Sequence, residues 1–391
     1  MRPTRSALAL AVIVAIWVAH LPLTTITYSA KFTYRATYTY TNRGNETITL
    51  DRDHVRFSLL MNNSWATVIL SSSDPPVEST DRDEDGNLYA EISADRELSP
   101  GEKLIISLEY HVDSRSREIP AINEEASQDL EAIDPSLVQE FTGSLGPWRY
   151  DEWPSIQELA YQIKGNETNV LRIVDRFVSW IHDCVDYPES VHEVPLYPNE
   201  TLLLGVGDCD DQTNLLVTMC RAVGIPAYVQ IGVILYEGLK PENYSIWDGH
   251  VTIQSEHVGW HGWAMVYIPP WGWLPIDMTW GAGGEAYDFI TNSAVSHVYT
   301  IPSDNVTSMD YIADTLEERG DLVGSDLYVT ISETMALPEE MEREDVEATQ
   351  PWITSYPMAS PIGIFALAAV TVISVIVIVR YRSSRAGMKG N

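Results

Sequence analysis

A cysteine, a histidine and an aspartate in this sequence are placed so that they could work as one chemical unit. Gly205-Val206-Gly207-Asp208-Cys209-Asp210-Asp211-Gln212-Thr213-Asn214-Leu215-Leu216 runs from a glycine loop into an apolar helical pattern, with Cys209 at the junction. With Asp208 as N-cap, Asp211 falls at the third helical position. The thiol then lies on the first turn, where free backbone N–H groups and the helix dipole favour a thiolate. A small buried cysteine is the other reading of such a residue; it fits Cys220 within the helix and fits a polar Gly-Asp-Cys-Asp-Asp turn poorly. A thiolate does not turn over amides unaided, because the leaving amine has to be protonated by a positioned group. Of the nine histidines, His250, His257 and His261 precede the strand-like run from Gly262 to Ile268, and His261 opens it. Its imidazole needs a carboxylate to fix tautomer and orientation, and Asp277 closes the next apolar run, Gly272 to Ile276. Two paired strands would bring His261 and Asp277 together, with His257 and His250 as the alternative bases.

The elements that hold these residues have their own signatures. Val170, Ile173, Val174, Phe177, Val178 and Ile181 follow helical spacing and form one apolar stripe. Phe32, Tyr34, Ala36, Tyr38 and Tyr40 alternate with Thr33, Arg35, Thr37 and Thr39, which is strand periodicity; it returns at Leu104, Ile106, Leu108, Tyr110 and Val112. Turn signals between these runs predict an antiparallel β-sandwich over residues 31–115. Within it, Asp81 to Gly86 looks like half of a calcium loop. The twelfth position, where a bidentate Glu is required, is Ile92, so a hairpin turn at Asp85-Gly86-Asn87 is the better reading.

The order Cys, then His with Trp two residues on, then Gly-Trp followed by Asp resembles the transglutaminase-like superfamily. Arg221-Ala222-Val223-Gly224-Ile225-Pro226-Ala227, leading from the cysteine helix into a strand, matches its pattern as well. The resemblance covers about 150 residues. It implies an α+β fold with a papain-like core, in which a helix carrying Cys209 packs on an antiparallel sheet carrying His261 and Asp277, preceded by the β-sandwich. It also implies the roles: Cys209 as nucleophile, His261 as general base and then acid, Asp277 as orienting carboxylate. The implied enzyme is a cysteine peptidase or amidase that cleaves amide or peptide bonds through a thioester. A protein-crosslinking transglutaminase and a non-catalytic cell-surface binding or structural protein are the alternatives. This chemistry requires no cofactor, and the spacing shows no metal-ligand set. Trp260, Trp263, Trp271, Trp273 and Trp280 read as core or as the lining of a peptide groove.

The ends place this unit in a cell. Arg2 and Arg5 precede an apolar run from Ala7 to Ala19, the pattern of a signal peptide or signal anchor over residues 1–30. Ile362 to Val379 carries no charge and is followed by Arg380, Arg382, Arg385 and Lys389, which predicts a transmembrane helix at 361–380 with a basic cytoplasmic tail, 381–391. All 56 acidic residues lie between these two ends, so the middle is more acidic still than the net charge of −32 for the chain. Such a field disfavours nucleic acid as a partner. Six Asn-x-Ser/Thr sequons in the middle agree with an extracellular domain that is a glycoprotein. The expected order is therefore sandwich 31–115, connector 116–150, catalytic domain 151–335, acidic stalk 336–360 and a single-pass anchor in the cell membrane, with a protein or peptide substrate outside. Three cysteines in an oxidising compartment leave two arrangements open: a Cys184 to Cys220 disulfide with Cys209 free, or inert buried thiols.

Overall fold

The computed structural model describes residues 29–336 except 64, 95, 116–120, 189–191, 281–286, 292 and 294–298. The expected signal segment, stalk, membrane helix and basic tail lie outside the described residues, apart from Ser29 and Ala30, which open the first strand, and Ala336, which ends the last. Among the described residues no helix is long and apolar enough to cross a membrane.

The alternation read near the N-terminus forms β1 (Ser29–Asn42), whose Phe32, Tyr34, Ala36, Tyr38 and Tyr40 are buried. It pairs antiparallel with β8 (Lys103–Arg115), where Ile106, Leu108, Tyr110 and Val112 face the same core, and β8 pairs in turn with β4 (Ala66–Asp74). Tyr34 stacks on Tyr110 with ring centroids 5.8 Å apart. The other long edge of β1 is taken by β15 (Leu327–Ala336), which runs parallel to β11 (Val251–Glu256), itself antiparallel to β10 (Glu242–Ile246). The result is a six-stranded sheet in the order β10-β11-β15-β1-β8-β4. The boundary drawn at residue 115 is thus not an edge of this sheet: strands from 242–256 and 327–336 complete it. Alternation fixes which face of a strand is buried and leaves its partner open, so the sequence had no means of assigning β15 to β1.

The turn expected at Asp85-Gly86-Asn87 joins β5 (Val77–Arg82) to β6 (Leu88–Ile92), with Arg82 opposite Leu88; β6 also pairs with β3 (Arg56–Ser58). Its acids are bound to protein donors. Asp83 accepts from the Asn87 amide N–H and side chain, and Asp85 accepts from the backbone and hydroxyl groups of Thr307 and Ser308. A two-stranded ladder, β2 (Ile48–Thr49) with β7 (Glu97–Leu98), completes this region.

The second large sheet has the order β13-β12-β9-β14 and is antiparallel throughout: β13 (Gly272–Ile276), β12 (Val258–Ile268), β9 (Ala227–Leu235) and β14 (Thr300–Val306). The segment read as a connector holds α1 (Pro135–Phe141) and the fully buried Trp148. Three helices follow: α2 (Pro154–Lys164), α3 (Val170–Cys184) and α4 (Pro198–Leu204). The predicted stripe on α3 is buried, and Asn169 caps the helix by accepting from the Arg172 amide at 3.1 Å. Next comes α5 (Cys209–Ala222), which packs on β12 and β9 and is buried along every face. Short α6 (Asp288–Thr291) and α7 (Tyr311–Val323) complete the described helices.

Because α5 is central, even its polar residues face protein. Arg221 donates to the carbonyls of Ala227, Gly143 and Thr307 and lies 4.0 Å from the Trp148 ring centroid; burial lowers its pKa to about 9. Trp148 donates to Asn214 at 3.1 Å. All three cysteines are free thiols: Cys184 is exposed, Cys209 and Cys220 are buried. The Cys184 to Cys220 disulfide is not formed, and of the two thiols that the alternative read as inert and buried, Cys184 and Cys220, only Cys220 is buried.

Candidate active site

Cys209 is the first residue of α5, and the expected cap is present: Asp211 accepts from the Asp208 amide at 3.2 Å across the helix start. Gly207 leaves room for this turn, since a Cβ there would come within 2.8 Å of Asp211 Cβ and 2.9 Å of Thr201 Cγ2. A second glycine lets the helix end approach the strand that bears the histidine. A Cβ on Gly262 would meet Asp210 Cβ at 3.3 Å, and the Gly262 carbonyl accepts from the Thr213 hydroxyl at 3.4 Å.

His261 on β12 and Asp277, just beyond β13, are both fully buried, at the end of the β12–β13 ladder where Ala264 pairs with Ile276. Their contact is a hydrogen bond of 2.7 Å between His261 Nε2 and Asp277 Oδ2. The other carboxylate oxygen of Asp277 accepts from the amides of Thr279 and Trp280, each at 3.0 Å, so both oxygens are held. A carboxylate only accepts, so Nε2 carries the proton in the neutral ring and Nδ1 bears the lone pair. Nδ1 is buried and has no hydrogen-bond partner among the described residues. Trp263 lies beside the imidazole with ring centroids 6.0 Å apart and is tied to Gln230 at 3.1 Å.

The alternative bases are elsewhere. His250 stacks on Tyr328 at 4.2 Å and contacts the Leu327 carbonyl through Nδ1, and His257 contacts the Leu239 carbonyl at 3.2 Å. The thiol of Cys209, by contrast, takes a backbone hydrogen bond from Gly262, the residue after His261. Of the five tryptophans, Trp260 and Trp263 are core; Trp271, Trp273 and Trp280 are half-buried.

The electrostatics differ from the expectation of a resting thiolate. Burial pushes the Cys209 thiol well above the ordinary cysteine range, the charges of Asp210 and Asp208 push the same way, and the Gly262 hydrogen bond opposes them. The sequence pattern pointed to the helix N-terminus, while the tertiary structure removed water and packed Asp208 and Asp210 around it. Those acids are perturbed too: burial and mutual repulsion raise Asp208 well above the carboxylate range and Asp210 to about 7.

Two residues escaped the sequence reading. His192 contacts Asp211 through Nδ1 at 2.8 Å, which raises its pKa, and its amide donates to Asp208. Asp208, Asp211 and His192 bring ligand atoms within 4.8 Å of one another, as do Asp208, Cys209 and Asp210, groupings that spacing alone did not show. Both oxygens of Asp211 are already committed to protein donors, including the Leu196 amide at 2.6 Å, so the first set is an N-terminal cap with an ion pair. Tyr187 is the second. Asp186 is bonded to Gly205 and Gly207 by a short parallel bridge, which lays Tyr187 beside the loop into Cys209. Its hydroxyl is buried without a partner among the described residues, and the Cys209 thiol heads the neighbouring charges that act on it. No motif marks a tyrosine at this distance from the cysteine.

Residues 157–278 match the family model described as the Transglutaminase-like superfamily, and this α+β segment is a transglutaminase-like core. No curated protein matches the chain. Among solved structures, a candidate cysteine protease of Cytophaga hutchinsonii is similar at 17% identity and a TM-score of 0.48, over 80% of this chain and 92% of that one. The periplasmic domain of TgpA from Pseudomonas aeruginosa, bound to ethylmercury, is similar at 16% identity and a TM-score of 0.33, over 70% and 94%. LapG of Legionella pneumophila is similar at 14% identity and a TM-score of 0.26, over 51% and 98%.

Proposed function

From a transglutaminase-like core at residues 157–278, we propose that this protein is a thiol acyl-transfer enzyme that cleaves amide or peptide bonds through a thioester on Cys209. The observation that carries this reading is the His261–Asp277 pair: the 2.7 Å bond fixes the proton on Nε2 and leaves the lone pair of Nδ1 unbound, on the residue next to the backbone group that touches the thiol.

In this reading the thiol rests neutral, because burial and the neighbouring acids disfavour its anion. His261 Nδ1 takes the S–H proton as sulfur attacks the substrate carbonyl carbon, and Asp277 stabilises the imidazolium. The oxyanion faces the Cys209 amide, which by position has no intrahelical acceptor. The Tyr187 hydroxyl is the second donor. The imidazolium then protonates the departing amine as the C–N bond breaks, leaving the thioester. Water attacks it, giving its proton to His261, and the acid is released with the thiol restored.

The apolar 362–379 segment with its basic flank supports a single-pass anchor in the cell membrane, and the acidic, sequon-bearing middle supports an extracellular domain acting on protein or peptide. The test is to react the purified full-length protein with a peptide vinyl sulfone and map adducts by mass spectrometry. Adduct at Cys209 that disappears in His261→Ala is expected. Labelling of Cys184 alone, or labelling of Cys209 that is indifferent to His261, would sink the assignment.

A further inference from the structure

The first and last strands of the fold meet at one pole of the six-stranded sheet. β1 starts there, with Ser29 opposite Arg115, and β15 finishes there, with Ala336 opposite Thr33. β11 runs parallel to β15 with Glu256 opposite Thr334, so it arrives at the same pole. The far end of the sheet, where Thr41 pairs with Lys103, is roughly 40 Å away along β1.

The candidate site is joined to that pole. A single residue, His257, in the left-handed region at φ 61°, turns the chain from β11 into β12, the strand that carries His261. From Val258 to His261 is about 10 Å of strand. Trp260 donates to Glu333 Oε1 at 2.8 Å, and the Tyr34 hydroxyl donates to the same oxygen. The strand of the histidine is thereby tied to the first and last strands near where they end. β9 reaches this pole as well: Leu235 pairs with Val258, and the Tyr236 amide donates to the His257 carbonyl. β13 runs toward it and delivers Asp277.

Beside the site this pole is aromatic. Trp280, whose amide donates to Asp277 Oδ1, lies 6.0 Å from Tyr236, and Tyr236 lies 5.3 Å from Tyr299, the residue before β14. The three rings are half-buried and pack on Ile234 and Leu239. Side chains with an apolar ring and a polar tip are the ones enriched where a protein meets the boundary between membrane and water.

The length of chain outside the sheet limits how far this pole can stand from a membrane. Residues 20–28 join β1 to the apolar run that ends at Ala19, and residues 337–361 join β15 to the apolar run that begins at Ile362. Chains of these lengths span at most about 32 Å and about 90 Å. The longer tether sets the limit for the C-terminal anchor, and the shorter one applies where the first run is a signal anchor. We propose that this pole faces the membrane, and that the site acts on the juxtamembrane segment of a second protein anchored in the same membrane. The inference rests on the anchor and the thiol chemistry proposed above. A substrate held in the same surface layer meets Cys209 at a raised effective concentration, an advantage that a free peptide lacks.

The test uses the full-length protein in phosphatidylcholine vesicles, with Cys184→Ser as background because Cys184 is the exposed thiol. A donor dye is placed through Glu237→Cys, just after Tyr236, or through Lys103→Cys at the far end, both exposed positions, and is read against an acceptor-labelled lipid. Energy transfer about twofold or more higher from the first is expected, since the two ends of the sheet are roughly 40 Å apart. Equal or reversed transfer overturns the orientation whatever the chemistry at Cys209. The peptide vinyl sulfone is then offered free, or coupled to a phospholipid in the same vesicles, at equal bulk concentration. Adduct at Cys209 forming about tenfold or more faster from the coupled probe is expected, with the preference lost once detergent dissolves the vesicles. Equal rates overturn the substrate class and leave the thiol chemistry standing. No adduct from either probe removes the enzyme reading, and the claim about its substrate falls with it.

Discussion

Replacing Asp277 by Asn should disable the site while leaving the fold intact, for a reason the geometry supplies. Asp277 Oδ1 accepts from the amides of Thr279 and Trp280, each at 3.0 Å, and Oδ2 accepts from His261 Nε2 at 2.7 Å. An asparagine has one acceptor and one donor end. The two backbone N–H groups require the acceptor, so the amide oxygen takes the Oδ1 position and the NH₂ faces His261. Nε2 must then accept, which moves the ring proton to Nδ1 and removes the lone pair that would receive the thiol proton. A base locked in the wrong tautomer costs about 10⁴-fold in kcat, or roughly 5.5 kcal/mol of barrier. Both amide bonds survive, so Tm should move by no more than about 3 °C. Acyl transfer from 4-nitrophenyl acetate, followed as nitrophenolate release and as acetyl-Cys209 by mass spectrometry, separates the two effects. A Asp277→Asn variant that acylates Cys209 within tenfold of wild type would refute the tautomer argument. One that loses activity only together with Tm would make Asp277 a folding residue.

Tyr187→Phe removes a hydroxyl without a described partner, so it should leave Tm unchanged or slightly raised while lowering kcat about 10- to 100-fold with KM little altered; an unchanged kcat removes Tyr187 from the oxyanion site. Arg221→Lys cannot keep three carbonyl bonds and the stacking on Trp148, and should destabilise by roughly 3 kcal/mol in chemical denaturation; a change below about 0.5 kcal/mol counts against that network. Asp208 and Asp210 have folded-state pKa values above their unfolded ones, so the folded chain holds their protons more tightly. Their contribution to stability is full below the unfolded value near 4 and is lost as pH rises, for Asp210 through about 7. Tm measured in EDTA should therefore fall from pH 5 to pH 8, and Asp210→Asn should flatten that slope; an equal slope in both proteins contradicts the assignment of the pair.

The sequence determined the local elements wherever pattern and chemistry agreed. Period-two alternation set the buried faces of β1 and β8, the apolar stripe set α3, and the Gly-Asp-Cys-Asp-Asp turn set the start of α5 with its capping box between Asp208 and Asp211. The same reasoning placed His261 on one strand and Asp277 at the end of the strand beside it, since each ended or opened an apolar run of strand length.

What only the tertiary structure decided was partnership and environment. The pairing of β15 with β1 joins residues nearly three hundred apart, and strand periodicity carries no information about which strand lies alongside. His192 and Tyr187 reach the cysteine turn through loop geometry that leaves no periodic trace. Most of all, the helix dipole at Cys209 is a local property that the sequence displays, whereas the thiol's pKa depends on how much water is excluded and how close Asp208 and Asp210 are held. Those quantities exist only once α5 is enclosed on every side, and there burial and like charge prevail over the dipole.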